Sequence, residues 1–188
     1  MKDLRTERIY LTYKARMTSE ARLRATGSMF HLLIIWYSLW LIITSLIELT
    51  GEYSVRYYAV SSIAFSVALL AVSIYTHGEN FQRKADEFRE CYLALQSIYL
   101  SSDSIDDKIR SYFATLKHYP NQSNRDYDNM LLESWMHGQE LENANGAVVI
   151  TKKIIARVLF RRLFFIGFFG VLVMFPPISI AFLVTKNG

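Results

Sequence analysis

Residues 29–76 read MFHLLIIWYSLWLIITSLIEL, TGEYSVR and YYAVSSIAFSVALLAVSIYT: two apolar runs, Met29–Leu49 and Tyr57–Thr76, joined by the seven residues Thr50–Arg56. About 20 apolar residues carry a helix across the hydrocarbon core of a bilayer, and each run reaches that length. A connector this short forces the two helices to be antiparallel neighbours. The stretch predicts a transmembrane hairpin.

Working outward, hydrophobic residues make up 52% of the 188-residue chain, which is close to the content of ordinary soluble proteins. Their pooling is what points to a membrane. A third run, Leu163–Val184, is also long enough to span, and it contains Pro176-Pro177. Each proline removes a backbone donor and the second restricts its neighbour, which predicts a kink there. Two readings of this run stand: a kinked span and a re-entrant segment.

The first 28 residues carry seven Lys or Arg against Asp3, Glu7 and Glu20. The basic region is long and the apolar run that follows is full-span, unlike the short core of a cleaved signal. The reading is an uncleaved anchor. Close to the spans, twelve basic residues fall on one side (Lys14, Arg16, Arg22, Arg24, Arg83, Lys84, Arg89, Lys152, Lys153, Arg157, Arg161 and Arg162) and two, Arg56 and Lys186, on the other. Basic flanks stay in the cytoplasm. The amino terminus and residues 77–162 are therefore expected to be cytoplasmic, with the hairpin tip and the carboxyl terminus outside. Basic residues beside spans act as topology and headgroup anchors, so the net charge of +4 gives little support to nucleic-acid binding, and none is expected.

Between the spans the pattern is helical. Leu4–Ala25 lacks Pro and Gly, and Leu4, Arg8, Leu11, Ala15, Ala21 and Ala25 give a weak apolar stripe with long basic side chains beside it; packing on the cytoplasmic part is favoured over lying on the membrane. Gly27 and Ser28 are expected to loosen the chain before the first span. Phe81, Ala85, Phe88, Tyr92, Leu95 and Tyr99 alternate spacings of four and three, the seam of helices packed side by side, either within the domain or between copies. That helix is read as continuous with the second span. Ser104 followed by Asp106 and Asp107 is a helix start, with Ile105, Ile109, Tyr112, Phe113 and Leu116 as its buried face and Pro120 as its end. Ser123–Asp126 repeats the start signal for a helix through Leu131, Leu132 and Trp135. Asn143–Gly146 reads as a break, and Val148–Arg162 as a basic helix leading into the third run. The expected fold is an all-α membrane protein in four parts: a basic amphipathic helix over 1–28, the hairpin over 29–76 (spans 29–49 and 57–76), a cytoplasmic helical domain over 77–162, and the third transmembrane or re-entrant segment over 163–184.

Catalytic chemistry finds no foothold. His31, His77, His118 and His137 have no metal-ligand spacing, the single Cys91 excludes an internal disulfide, and there is no phosphate loop or nucleophile elbow. Asp106-Asp107 and Asp126-Tyr127-Asp128 read as solvated helix starts. No cofactor, metal or catalytic residue is expected, and the chain is not read as an enzyme. The spans say more. His31, Ser38 and Ser45 recur every seven residues and share one helix face, bordered by Thr44 and Glu48; Ser62, Ser66 and Ser73 align on the second span. Small and hydroxyl residues let membrane helices approach closely, or they face water in a pore, as an ionisable residue such as Glu48 would favour. Both readings stand. Three spans at most cannot enclose a conducting path, so a channel requires a homo-oligomer.

The plan resembles the SLATT family, two-transmembrane effector domains associated with SMODS nucleotidyltransferases and SLOG sensor domains in bacterial conflict systems. The matching stretches are Arg8-Ile9-Tyr10-Leu11-Thr12-Tyr13-Lys14-Ala15-Arg16, the tight hairpin, Lys84–Tyr92, Leu116-Lys117-His118-Tyr119-Pro120 and Asn124-Arg125-Asp126-Tyr127-Asp128. The resemblance covers the chain up to about Gly138; the third run goes beyond the two-span plan. It implies an effector of the bacterial inner membrane in anti-phage defence, forming a pore or disrupting the membrane and causing growth arrest or death (abortive infection). The trigger would come from a neighbouring sensor, nucleotidyltransferase or reverse transcriptase, or from a small nucleotide. The alternatives are a non-conducting anchor or scaffold for a partner enzyme and, more remotely, a lipid-acting enzyme.

Overall fold

The computed structural model describes residues 4–50, 55–139, 142–143, 146–147 and 150–187. The hairpin tip, residues 51–54, lies outside the described residues, as does the side chain of Glu48. The described chain forms helices α1 (Leu4–Thr50), α2 (Val55–Glu79), α3 (Phe81–Leu100), α4 (Ile105–Leu116) and α5 (Asn124–Met136), two-residue strands β1 (Glu142–Asn143) and β2 (Gly146–Ala147), and helix α6 (Lys152–Asn187). The all-α class holds. The antiparallel ribbon, Glu142 opposite Ala147 and Asn143 opposite Gly146, occupies the expected break. Three helices are long and apolar enough to cross a membrane.

Two local expectations change. Gly27 and Ser28 do not loosen the chain, because α1 runs through them without interruption. A glycine inside a helix costs only about 1 kcal/mol, little against the hydrogen bonds of a 47-residue helix. Nor is α3 continuous with α2. Asn80 stands between them with φ +47, the left-handed conformation that ends many helices and that Asn tolerates better than other non-glycine residues. Asn80→Ala is expected to destabilise the protein by about 1 kcal/mol and Asn80→Gly to leave it unchanged or slightly firmer. Equal unfolding midpoints for the two variants would show that the left-handed turn is not a constraint.

The chain divides into two compact units, Met1–Ala25 with Phe81–Arg162 and Thr26–Asn80 with Leu163–Gly188. In the first, the opening part of α1 is the element on which the others pack. Ile9 is buried with Cys91, Leu95 and Tyr112; Leu11 and Ala15 are buried with Met130 and Leu131; Leu23 is buried with Ala85 and Phe88. The buried face of α1 also carries Glu7, Thr12, Arg16 and Ser19, whereas Ala21 and Ala25 of the expected stripe are exposed. Both helix starts carry their serine caps. Ser104 Oγ accepts from Asp107 N–H at 3.3 Å, and Ser123 Oγ accepts from Asp126 N–H at 3.2 Å. Tyr112 is buried, but Ile105, Phe113 and Trp135 are exposed.

In the second unit, aromatic edges join the helices: Phe30 lies 6.2 Å from Tyr75 and 5.9 Å from Phe169, and Phe65 lies 6.0 Å from Tyr37 and 5.7 Å from Phe175. Most of the large apolar side chains on these helices point outward. In water such a surface would aggregate; in a bilayer it is the lipid-facing side.

Candidate functional site

The span residues sort into two groups. Ser45, Ser62 and Ser66 meet in one open groove between α1 and α2, shared with Leu41, Ile42 and Leu46. Ser66 Oγ donates to Ser62 O at 2.8 Å, so this hydroxyl is satisfied within its own helix. His31, Ser38 and Ser73 do not line that groove. His31 is exposed, Ser73 is half-buried, and Ser38 Oγ donates to Ile34 O at 2.8 Å.

The tandem prolines lie inside α6. In a helix the N–H of residue i bonds the carbonyl of residue i−4, so Pro176 and Pro177 leave the carbonyls of Leu172 and Val173 without their usual donors. Both are met by α1. Tyr37 Oη donates to Leu172 O at 2.8 Å, and Trp36 Nε1 donates to Val173 O at 3.0 Å. Ser179 Oγ donates to Pro176 O at 2.8 Å. Hydrocarbon offers no other donors. The sequence did contain the signal: two freed carbonyls require two donors on a neighbouring span, and Trp36-Tyr37 is an adjacent pair of donors on the first.

In the first unit the structure corrects the reading of Asp126 and Asp128 as solvated. Asp126 is fully buried and Asp128 is 7% exposed. Asp126 accepts from Ser19 Oγ at 2.8 Å, Arg22 Nε at 2.6 Å and Ser123 Oγ at 2.8 Å. Burial alone would raise its pKa; the hydrogen bonds from Arg22, Ser123 and Ser19 and the charge of Arg22 outweigh burial and hold the carboxyl below its ordinary value. Two residues further on, Asp128 Oδ2 accepts from Arg157 at 3.1 Å and Arg161 at 3.2 Å. One helical turn of α5 therefore clasps α1 through one carboxylate and α6 through the next. Asp106, by contrast, is exposed and pairs with Arg5 at 3.0 Å, as a solvated helix start should.

The α3 seam faces α1. Phe81 packs against Leu23, Ala85 and Phe88, and Tyr99 against the cluster of Ile9, Cys91, Leu95 and Tyr112. Tyr92 is half-buried, and its neighbour Cys91 takes the fully buried position. Arg16, also fully buried, donates from Nη1 to Cys91 Sγ at 2.8 Å, and its guanidinium lies 6.0 Å from the Phe88 ring. Burial pushes the Cys91 thiol up, against the opposing pull of Arg16. Apolar periodicity could not find Arg16, Ser19 or Thr12, since they are polar residues used as core. Among the described residues no group of three His, Cys, Asp or Glu could hold a metal ion.

No curated protein and no solved structure matches this chain. A family model does match, over residues 2–183, and so takes in the hairpin, the α5 clasp and most of the third apolar helix. The chain belongs to the SMODS and SLOG-associating 2TM effector domain family 5.

Proposed function

We propose that the protein is an inner-membrane effector of a bacterial anti-phage system whose copies assemble and open a leak when a partner signals infection. The observation that carries this reading is the Ser45–Ser62–Ser66 groove, which places three hydroxyls together among apolar side chains. Several copies arranged about an axis would bring these faces together and line a polar path, with Glu48 near its outer end. The helical unit, with its amino terminus and residues 77–162 in the cytoplasm, would receive the signal from a neighbouring sensor or nucleotidyltransferase. The turn at Asn80 is the element that would switch between two arrangements.

The test replaces Ser62 and Ser66 together by Leu and follows membrane potential with a dye in cells that also express the neighbouring protein. Depolarisation is expected to be lost while assembly is retained. Undiminished depolarisation would remove these serines from the pore lining. A second reading, a non-conducting anchor for a partner enzyme, draws on the intrahelical bonds of Ser38 and Ser66, which suit close helix packing. It expects no change of potential when the partner is activated.

A further inference from the structure

Arg16 lies fully buried on α1 without the counter-charge that a buried guanidinium ordinarily has. Its Nη1 donates to Cys91 Sγ at 2.8 Å, a weak acceptor, and the ring of Phe88 lies 6.0 Å away. Its Nε and Nη2 are buried with no hydrogen-bond partner among the described residues. The polar groups one turn away on α1 are engaged elsewhere. Thr12 Oγ1 lies 3.1 Å from Tyr112 Oη, Ser19 Oγ donates to Asp126 at 2.8 Å, and Glu20 pairs with Arg24. Arginine cannot shed its proton to relieve the mismatch. The packed state therefore carries an uncompensated charge, which favours any state that lets water reach it.

The contacts set where water would enter. Cys91 and Phe88 both belong to α3, so the guanidinium is released when α3 lifts from α1. Asn80, in the left-handed conformation, separates α3 from α2 and gives a break about which α3 can turn. Arg24 ties α1 to α3 through Asp86 at 2.7 Å, but Asp86 is 51% exposed, and pairs in water hold weakly. The Asp126 and Asp128 contacts join α5 to α1 and α6 and are untouched by this opening.

We infer that the α1–α3 seam is a release point built into the helical unit: the buried charge of Arg16 loosens it, and α3 separates from α1 without the unit unfolding. Sub-global openings of this kind lie below the free energy of complete unfolding. The inference rests on this seam alone and is independent of the proposed leak.

Cys91, the only cysteine in the sequence and itself fully buried, reports the opening. The full chain in a non-ionic detergent is mixed with dithiobis(nitrobenzoate) in denaturant well below the unfolding midpoint, and ellipticity gives the rate of global unfolding under the same conditions. Wild-type Cys91 is expected to react about tenfold or more faster than the unit unfolds. Arg16→Met keeps the length of the side chain without its charge. It should slow the reaction about tenfold, the low end of what an apolar replacement of buried charge returns. Arg110→Gln, which removes an exposed charge, should leave the rate unchanged. Amide exchange over residues 85–95 should slow together with the thiol reaction in Arg16→Met, because a lifted α3 loses the packing that stabilises it. That second readout separates opening from any direct effect of Arg16 on the thiol. The proposal is overturned if wild-type Cys91 reacts no faster than the unit unfolds, or if Arg16→Met reacts as fast as wild type. It is also overturned if amide exchange does not slow in Arg16→Met, or if Arg110→Gln slows the reaction as much. If Arg16→Met does not fold, Arg16→Gln provides the same comparison, and the wild-type rates decide without any variant.

Discussion

Asp126→Asn is expected to destabilise the helical unit by about 3 kcal/mol, the low end of what removing one partner of a buried ion pair costs. The lower figure is appropriate because the Arg22 side chain is 28% exposed and can regain water once its partner is neutral. The amide also turns a donor toward Arg22 where the carboxylate offered only acceptors. Chemical unfolding in detergent, followed by ellipticity, reads the change. Asp106→Asn is the control: its side chain is 85% exposed, and exposed pairs are worth about 0–1 kcal/mol. Similar losses for the two variants would sink the clasp as a structural element. The pH dependence follows in sign. Because the folded-state pKa of Asp126 is lowered, its contribution is fully present above the unfolded carboxyl's value of about 3.9. It is lost as the pH falls from there through the folded value. Wild type should lose stability over that range, and Asp126→Asn should lack this component.

The double variant Trp36→Phe with Tyr37→Phe is expected to cost about 2 kcal/mol, taking about 1 kcal/mol for each interhelical hydrogen bond in a membrane. Tyr37→Phe keeps its ring, so its share reports the hydroxyl alone, whereas Trp36→Phe also trims the indole that packs on Trp40 and adds a packing loss to that of its donor. The sharper test is coupling. Pro176→Ala restores the N–H that Leu172 O lacks, and in that background Tyr37→Phe should become nearly silent. Pro177→Ala should do the same for Trp36→Phe through Val173 O. If Tyr37→Phe costs the same with and without Pro176, its hydroxyl is not serving the carbonyl that the proline frees. Removing both prolines should firm α6 while making the aromatic donors dispensable, which hydrogen exchange of the amides flanking positions 176 and 177 would register.

How much of this was legible beforehand varies with the kind of interaction. The spans were legible because hydrocarbon imposes a length and a composition on any helix that crosses it. The caps at Ser104 and Ser123 were legible because a helix start leaves its own N–H groups unpaired, and a serine with nearby acids answers that need locally. Asp126 resembled Asp106 for the same reason: each follows a capping serine within three residues. What separates them is α1, more than 100 residues earlier in the chain, which brings Ser19 and Arg22 to one carboxylate and only an exposed Arg5 to the other. No periodicity within α5 carries that information.

The same division holds in the membrane-like unit. Pro176-Pro177 showed that two carbonyls would need donors, but not which residues would supply them; that choice depended on how α1 and α6 are paired. The serine repeats at intervals of seven put His31, Ser38 and Ser45 on one helix face, yet only Ser45 shares a groove with Ser62 and Ser66, since a shared face on one helix does not determine where a second helix crosses it. The sequence by itself therefore determined the long apolar helices and the caps at Ser104 and Ser123, which rest on the uniform demand of a bilayer and on local backbone need, but not the run of α1 through Gly27 or the turn at Asn80. Tertiary structure alone decided which polar side chains became core. Burying Ser19, Asp126 and Asp128 is favourable only when partners distant in the chain arrive with matching donors and acceptors.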